Sequence, residues 1–197
     1  TGLQFWAVVR TLLENCRDVK EALSMLKDMP VAYNLNLIVL DREGRCALVE
    51  TLDGRMAVKT IDSDSGEQAL YATNHPVLEE LIPYEAKAFV HSIRRYDNIT
   101  AFLERHKKGI TAGQLKDFFL TPYPEGLSCS YYSQFFGTTK TMVLDPVRGS
   151  LSLCWGGRPQ NGWHDFNFSD PFPQETAAIE IHNQTADPSI FAYRSLV

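Results

Sequence analysis

The sequence has no long apolar run. Its longest uncharged hydrophobic stretch falls far short of the roughly 20 residues that cross a bilayer, so no membrane partner is expected. It has no basic run either, and a net charge of −5 over 197 residues argues against nucleic acid as a partner. The four cysteines, Cys16, Cys46, Cys129 and Cys154, show no C-x-x-C spacing, which removes a zinc knuckle or a dithiol redox pair. Scattered free thiols suit a reducing compartment and predict a cytoplasmic location. The five histidines have no H-x-x-x-H or similar spacing, so no metal and no other cofactor is expected. No basic segment followed by a cleavage site opens the chain. There is no internal repeat, low-complexity segment or interdomain linker. Three matches to the glycosylation triplet, at Asn98, Asn167 and Asn183, are read as chance, since the pattern is short.

What remains is an ordinary globular composition, 44% hydrophobic and 22% charged. The length predicts a single domain over residues 1–197. The informative stretch is 35–75. It holds four short runs rich in Val, Leu and Ile, divided by turn chemistry at Arg42-Glu43-Gly44 and at Asp53-Gly54. Asp-Gly between apolar runs signals a hairpin. The pattern predicts an antiparallel meander of four strands. The first two runs are apolar at every other position on both sides, so the sheet is expected to be covered on both faces. The fourth run, 70–75, leaves the sheet on Asn74 and His75, and polar residues at such a point are where sites are often built.

Two amphipathic helices precede the meander. Phe5, Val8, Val9, Leu12, Leu13 and Cys16 share one helical stripe. Asp18 caps the next helix with Glu21 as its capping-box partner, Val19, Ala22, Leu23 and Leu26 form the apolar face, and Pro30 ends it. After the meander, 77–82 reads as a helical turn stopped by Pro83. A longer helix over about 92–105 buries Tyr96, Ile99, Phe102 and Leu103, and closes at Lys107-Lys108-Gly109. Thr111 and Gln114 box the start of a further helix that buries Leu115, Phe118 and Phe119. Residues 121–137 are irregular and aromatic, as functional loops often are. A second hairpin spans 139–155, and the proline-bearing tail ends in one more strand at 177–181. Helix pairs feeding a sheet predict a layered α+β fold.

Several groups carry candidate chemistry. Asn74 with His75 reads as a base or a donor pair, or as two residues that tie down a loop. Arg94 and Arg95 read as a fork for an anionic group, or as a solvated helix face. Ser128 and Ser130 sit in Gly126-Leu127-Ser128-Cys129-Ser130, which fails the G-x-S-x-G elbow and reads as loop. Cys46 and Cys154 read as core thiols. An N-terminal Thr can be a nucleophile with its own amine as base, but Thr1 leads into a helical pattern and reads simply as the first residue. The aromatic loop from Tyr131 through Phe135 to Phe136 lines an acyl pocket or joins the core, and the residues leave both open.

Several strings taken in order resemble one family. They are Val9-Arg10-Thr11-Leu12-Leu13-Glu14-Asn15-Cys16, Asp18-Val19-Lys20-Glu21-Ala22, Asn36-Leu37-Ile38-Val39-Leu40-Asp41-Arg42-Glu43-Gly44 with Val49-Glu50, Ala72-Thr73-Asn74-His75-Pro76, Ser92-Ile93-Arg94-Arg95-Tyr96, and Thr138-Thr139-Lys140-Thr141 with Leu144-Asp145-Pro146. Over residues 9–157 the chain is similar to the cysteine amidohydrolases that include choloylglycine hydrolases and isopenicillin N acyltransferase-like enzymes. The resemblance implies the N-terminal-nucleophile fold, a four-layer αββα sandwich, present here in part. It implies an amide hydrolase or acyltransferase that works through an acyl-cysteine, on a small-molecule amide or acyl substrate. It gives Asn74 the role of oxyanion donor and Arg95 that of a supporting cation, with Arg94 as its alternative in register. His75, Arg94, Tyr131 and Phe135 become substrate contacts.

The family's nucleophilic cysteine, its neighbouring Arg and Asp and a second oxyanion Asn would all precede Thr1. The chain is therefore expected to be the C-terminal portion of such an enzyme. Its partner would be the missing N-terminal segment, and alone it would be inactive and prone to self-association. A non-catalytic binding domain on the same scaffold is the competing reading, since fold does not fix function.

Overall fold

The computed structural model describes residues 2–171 and 178–197, and Thr1 and Pro173 lie outside them. The chain divides into two compact units, Thr1–Ile93 with Tyr193–Val197, and Arg94–Ala192. It is α+β, with several small antiparallel sheets.

In the first unit, helix α1 (Phe5–Asn15) and helix α2 (Val19–Asp28) precede the strands β1 (Leu35–Leu40), β2 (Cys46–Leu52) and β3 (Arg55–Ile61). The strands form an antiparallel sheet in the order β1-β2-β3, with Leu37 opposite Val49 and Val49 opposite Val58. The β2–β3 turn is the Asp-Gly hairpin that the sequence calls for. Asp53 has φ 48° and Gly54 φ 75°, the double left-handed geometry of a two-residue turn. The Asp18 side chain accepts from Glu21 N, capping α2. Glu21 reaches back one residue further than a capping box requires, accepting from Arg17 N at 2.9 Å.

Side chains alternate along a strand, so β2 serves two cores. Ala47 and Val49 pack with Val8, Leu12, Val19, Ala22 and Leu26 of the helices. Leu48 and Leu52 pack on the other face with Leu78, Leu81, Leu70 and Ala72. Each fully buried aliphatic side chain contributes about 1.5–3 kcal/mol. The helical stripe of α1 is narrower than expected: Val8 and Leu12 are buried, while Phe5, Val9 and Leu13 are exposed. The second sheet face is covered only in part, because Ile38 and Leu40 at the outer strand remain half exposed.

The fourth strand of the meander does not form. Residues 70–75 make no ladder, because side chains take the backbone groups a neighbouring strand would take. The Asn36 amide nitrogen donates to Thr73 O and His75 O at 3.0 and 2.7 Å. Pro83 does not stop a helix either. It sits in the first turn of a 3-10 segment, Ile82–Tyr84, where its missing N–H has no cost. Strand β4 (Lys87–Phe89) pairs with a C-terminal strand, Tyr193–Ser195, which the sequence pattern did not suggest. Helix α3 (Val90–Arg105) follows β4 directly and continues into the second unit.

In the second unit, helix α4 (Ala112–Leu120) starts with the Thr111–Gln114 capping box. The rings of Phe102 and Phe118 stack, their centroids 4.1 Å apart. The aromatic stretch forms a small hairpin of β5 (Ser130–Tyr131) and β6 (Phe136–Gly137). Tyr132 lies against Gly137 so closely that a Cβ there would come within 2.2 Å of its ring, and its hydroxyl donates toward Thr138 O and Gly156 O. The expected hairpin is β7 (Lys140–Asp145) with β8 (Ser150–Trp155), and an unforeseen β9 (His164–Asn167) adds to it. Residues 178–181 form no strand; Ala177, the start of the expected tail strand, lies outside the described residues.

Candidate functional site

In the first unit, a crevice of about 200 Å³ is lined by Asn36, Glu50, Thr73, Asn74, His75 and Glu85 among others. Asn74 and His75 thus reach a cavity from a loop, not from the end of a strand. The loop is fixed from three elements. Asn36 of β1 holds the carbonyls of Thr73 and His75. Ser92, in the first turn of α3, accepts from Asn74 N at 2.8 Å. Glu50 of β2 accepts from Val77 N at 2.9 Å and Leu78 N at 3.0 Å.

His75 is buried, and its Nδ1 stands 2.8 Å from Ser92 Oγ and 3.1 Å from Thr73 Oγ1. Thr73 Oγ1 donates to Ser92 O at 3.0 Å. A serine hydroxyl bonded to an imidazole is the geometry of a nucleophile and its base. Ser92 is fully buried and already accepts an amide proton, so here the pair serves as a brace. Asn74 is exposed at the crevice.

Beside His75, the crevice carries two carboxyl groups, Glu50 and Glu85. Burial pushes the Glu50 carboxyl up, the Leu78 and Val77 amides pull it back in part, and Glu80 adds to the rise. Burial and then Asp53 raise Glu85. Glu50 is the residue that site reasoning from sequence missed. The signal was a carboxylate inside the apolar run Ala47-Leu48-Val49-Glu50.

The remaining candidates belong to the second unit. Arg94 Nε donates to Pro124 O at 3.3 Å, and Asn98 binds the same carbonyl at 2.8 Å, so both hold the 123–126 turn. The Arg95 guanidinium lies 5.9 Å from the Phe136 ring centroid. Burial lowers its pKa, while the Cys129 thiol and Tyr123 act to raise it. Tyr131 is buried in a cluster with Cys129, Ala186 and Ile190. Phe135 is fully exposed at the hairpin tip with φ 56°.

All four cysteines are free thiols. Burial is the leading cause that raises the pKa of each, and none lines the crevice. Ser128 is buried and donates to Gly157 O at 2.8 Å, a loop-bracing contact. Among the described residues no group of three His, Cys, Asp or Glu side chains could hold a metal ion, and no helix is long and apolar enough to cross a membrane.

A comparison with protein-family models matches residues 1–160 to the model described as acyl-coenzyme A:6-aminopenicillanic acid acyl-transferase. No curated protein and no solved structure matches the chain.

Proposed function

The chain belongs to the acyl-coenzyme A:6-aminopenicillanic acid acyl-transferase family, and on that premise we propose that it is part of an amide hydrolase or acyltransferase working through an acyl-cysteine. The nucleophilic cysteine is supplied by a segment outside these 197 residues. Its thiolate attacks the amide or thioester carbonyl, the C–N or C–S bond breaks as the amine or thiol leaves with a proton, and water or an amine then takes the acyl group from sulfur and restores the thiol. The carbonyl oxygen becomes an anion in each half of the reaction and needs a fixed donor. Asn74 is that donor. Arg95 is the supporting cation and keeps its charge at any working pH, with Arg94 the alternative in register. His75 is a substrate contact in the same reading.

The observation that carries the proposal is Asn74 at a crevice, on a loop braced from β1, β2 and α3. The four-layer αββα sandwich belongs to this reading too; the packing of α1 and α2 on one face of β1–β3 supports it. The test is Asn74→Ala in the enzyme assembled with its cysteine-bearing segment. Turnover of an amide substrate is expected to fall about a hundredfold or more, as loss of an oxyanion donor does. Unchanged turnover would remove Asn74 from the chemistry.

A further inference from the structure

Glu50 sits in the middle of β2 between Leu48 and Leu52, on the face packed with Leu78 and Leu81. It is 1% exposed. A leucine would fit that face at no electrostatic cost, whereas burying a carboxylate is costly unless it is bonded. Its bonds go to one place. Oε1 and Oε2 accept from Val77 N at 2.9 and 3.1 Å, and Oε2 also accepts from Leu78 N at 3.0 Å.

We propose that Glu50 is a positioning residue: it anchors the downstream end of the 74–78 segment to β2 and so sets where Asn74 stands in the crevice. This rests on Asn74 being the oxyanion donor. The segment has no strand partner, so its place is decided by a few side chains. Asn36 and Ser92 hold the upstream end through neutral bonds. Glu50 holds the downstream end through both of its carboxyl oxygens. A donor displaced by about 1 Å can cost a hundredfold in rate, which gives a function to a carboxylate that folding alone would not select.

Amide hydrogen exchange on the full chain tests this, with Glu50→Leu and Glu50→Gln as variants. Leucine removes both acceptors and suits the surrounding leucines. Protection at Asn74, Val77 and Leu78 is expected to fall at least tenfold, while the amides of β1, β2 and β3 keep theirs. Glutamine keeps one acceptor oxygen and should retain an intermediate protection. Unchanged protection over 74–78 in both variants overturns the proposal. So does an equal loss across the sheet, which is what a purely structural role gives. If the leucine variant does not fold, the glutamine variant still reads the outcome. Exchange reports the position of the loop without any substrate. Failure of Asn74→Ala to affect turnover would therefore sink the donor assignment and leave the exchange result standing.

Discussion

The main-chain N–H of Asn74 donates to the hydroxyl of Ser92 at 2.8 Å, tying the exposed loop residue to a fully buried side chain in the first turn of α3. The same hydroxyl meets the imidazole of His75. One small side chain therefore governs both polar residues of the Thr-Asn-His string.

Ser92→Ala removes that hub. Asn74 N loses that bond, and His75 Nδ1 loses the closer of its two hydroxyl neighbours and keeps Thr73 Oγ1, at about 1 kcal/mol per bond. The urea midpoint should drop accordingly. An unchanged midpoint would mean that the loop does not depend on Ser92.

Asn36→Asp is close in shape but turns two donations into repulsion, since a carboxylate oxygen would face the Thr73 and His75 carbonyls. It should destabilise more than Asn36→Ala, which costs about 1–2 kcal/mol for the lost bonds. Equal midpoints for the two variants would refute the assignment of the amide nitrogen to that side.

Two buried carboxylates should act oppositely as pH changes. Burial works to raise Asp41, but Arg45 and the Val19, Arg45 and Glu43 amides outweigh it and hold its carboxyl below the ordinary aspartate value. Asp41 thus contributes stability that is present above that ordinary value and lost as pH falls through its lower folded one. Glu50 is raised, chiefly by burial, so its contribution shrinks as pH rises from the ordinary glutamate value through the folded one. Glu80 acts on Glu50 directly, and His75 and Glu85 share its crevice. Urea midpoints of the parent, Asp41→Asn and Glu50→Gln, measured between about pH 3 and 8, check both signs. The gap to Asp41→Asn should close on acidification, and the parent should gain on Glu50→Gln as pH falls.

Gly54→Ala places a Cβ at φ 75°, a conformation that costs an L-residue about 1 kcal/mol. The open space around the position leaves the backbone as the whole cause. A thermal midpoint equal to the parent's would show that the turn can change type.

The periodic parts of the fold were legible. Asp-Gly placed the β2–β3 hairpin, and the Thr111–Gln114 pair placed α4, because both signals are local. The loop bearing Asn74 was misread as a strand. Its apolar residues Leu70 and Ala72 do face a core, but alternation cannot reveal that Asn36, 37 residues earlier in the chain, takes the Thr73 carbonyl. The C-terminal strand was missed for a similar reason. Its three exposed residues carry no apolar pattern, and only pairing with β4 makes them a strand. For the site, the Thr-Asn-His string drew attention to a loop that lines a crevice, while the strand's own pattern does not tell a buried Glu50 from a solvent-facing one.

The small aromatic hairpin treats its positions very unequally. Phe135 touches only solvent, so its side chain is open to drift, short of the left-handed backbone that β-branched residues avoid. Two residues on, the ring of Tyr132 occupies the space that any side chain at Gly137 would need. Variation among relatives should therefore change sharply within three positions, permissive at 135 and closed at 137 wherever a tyrosine is kept at 132.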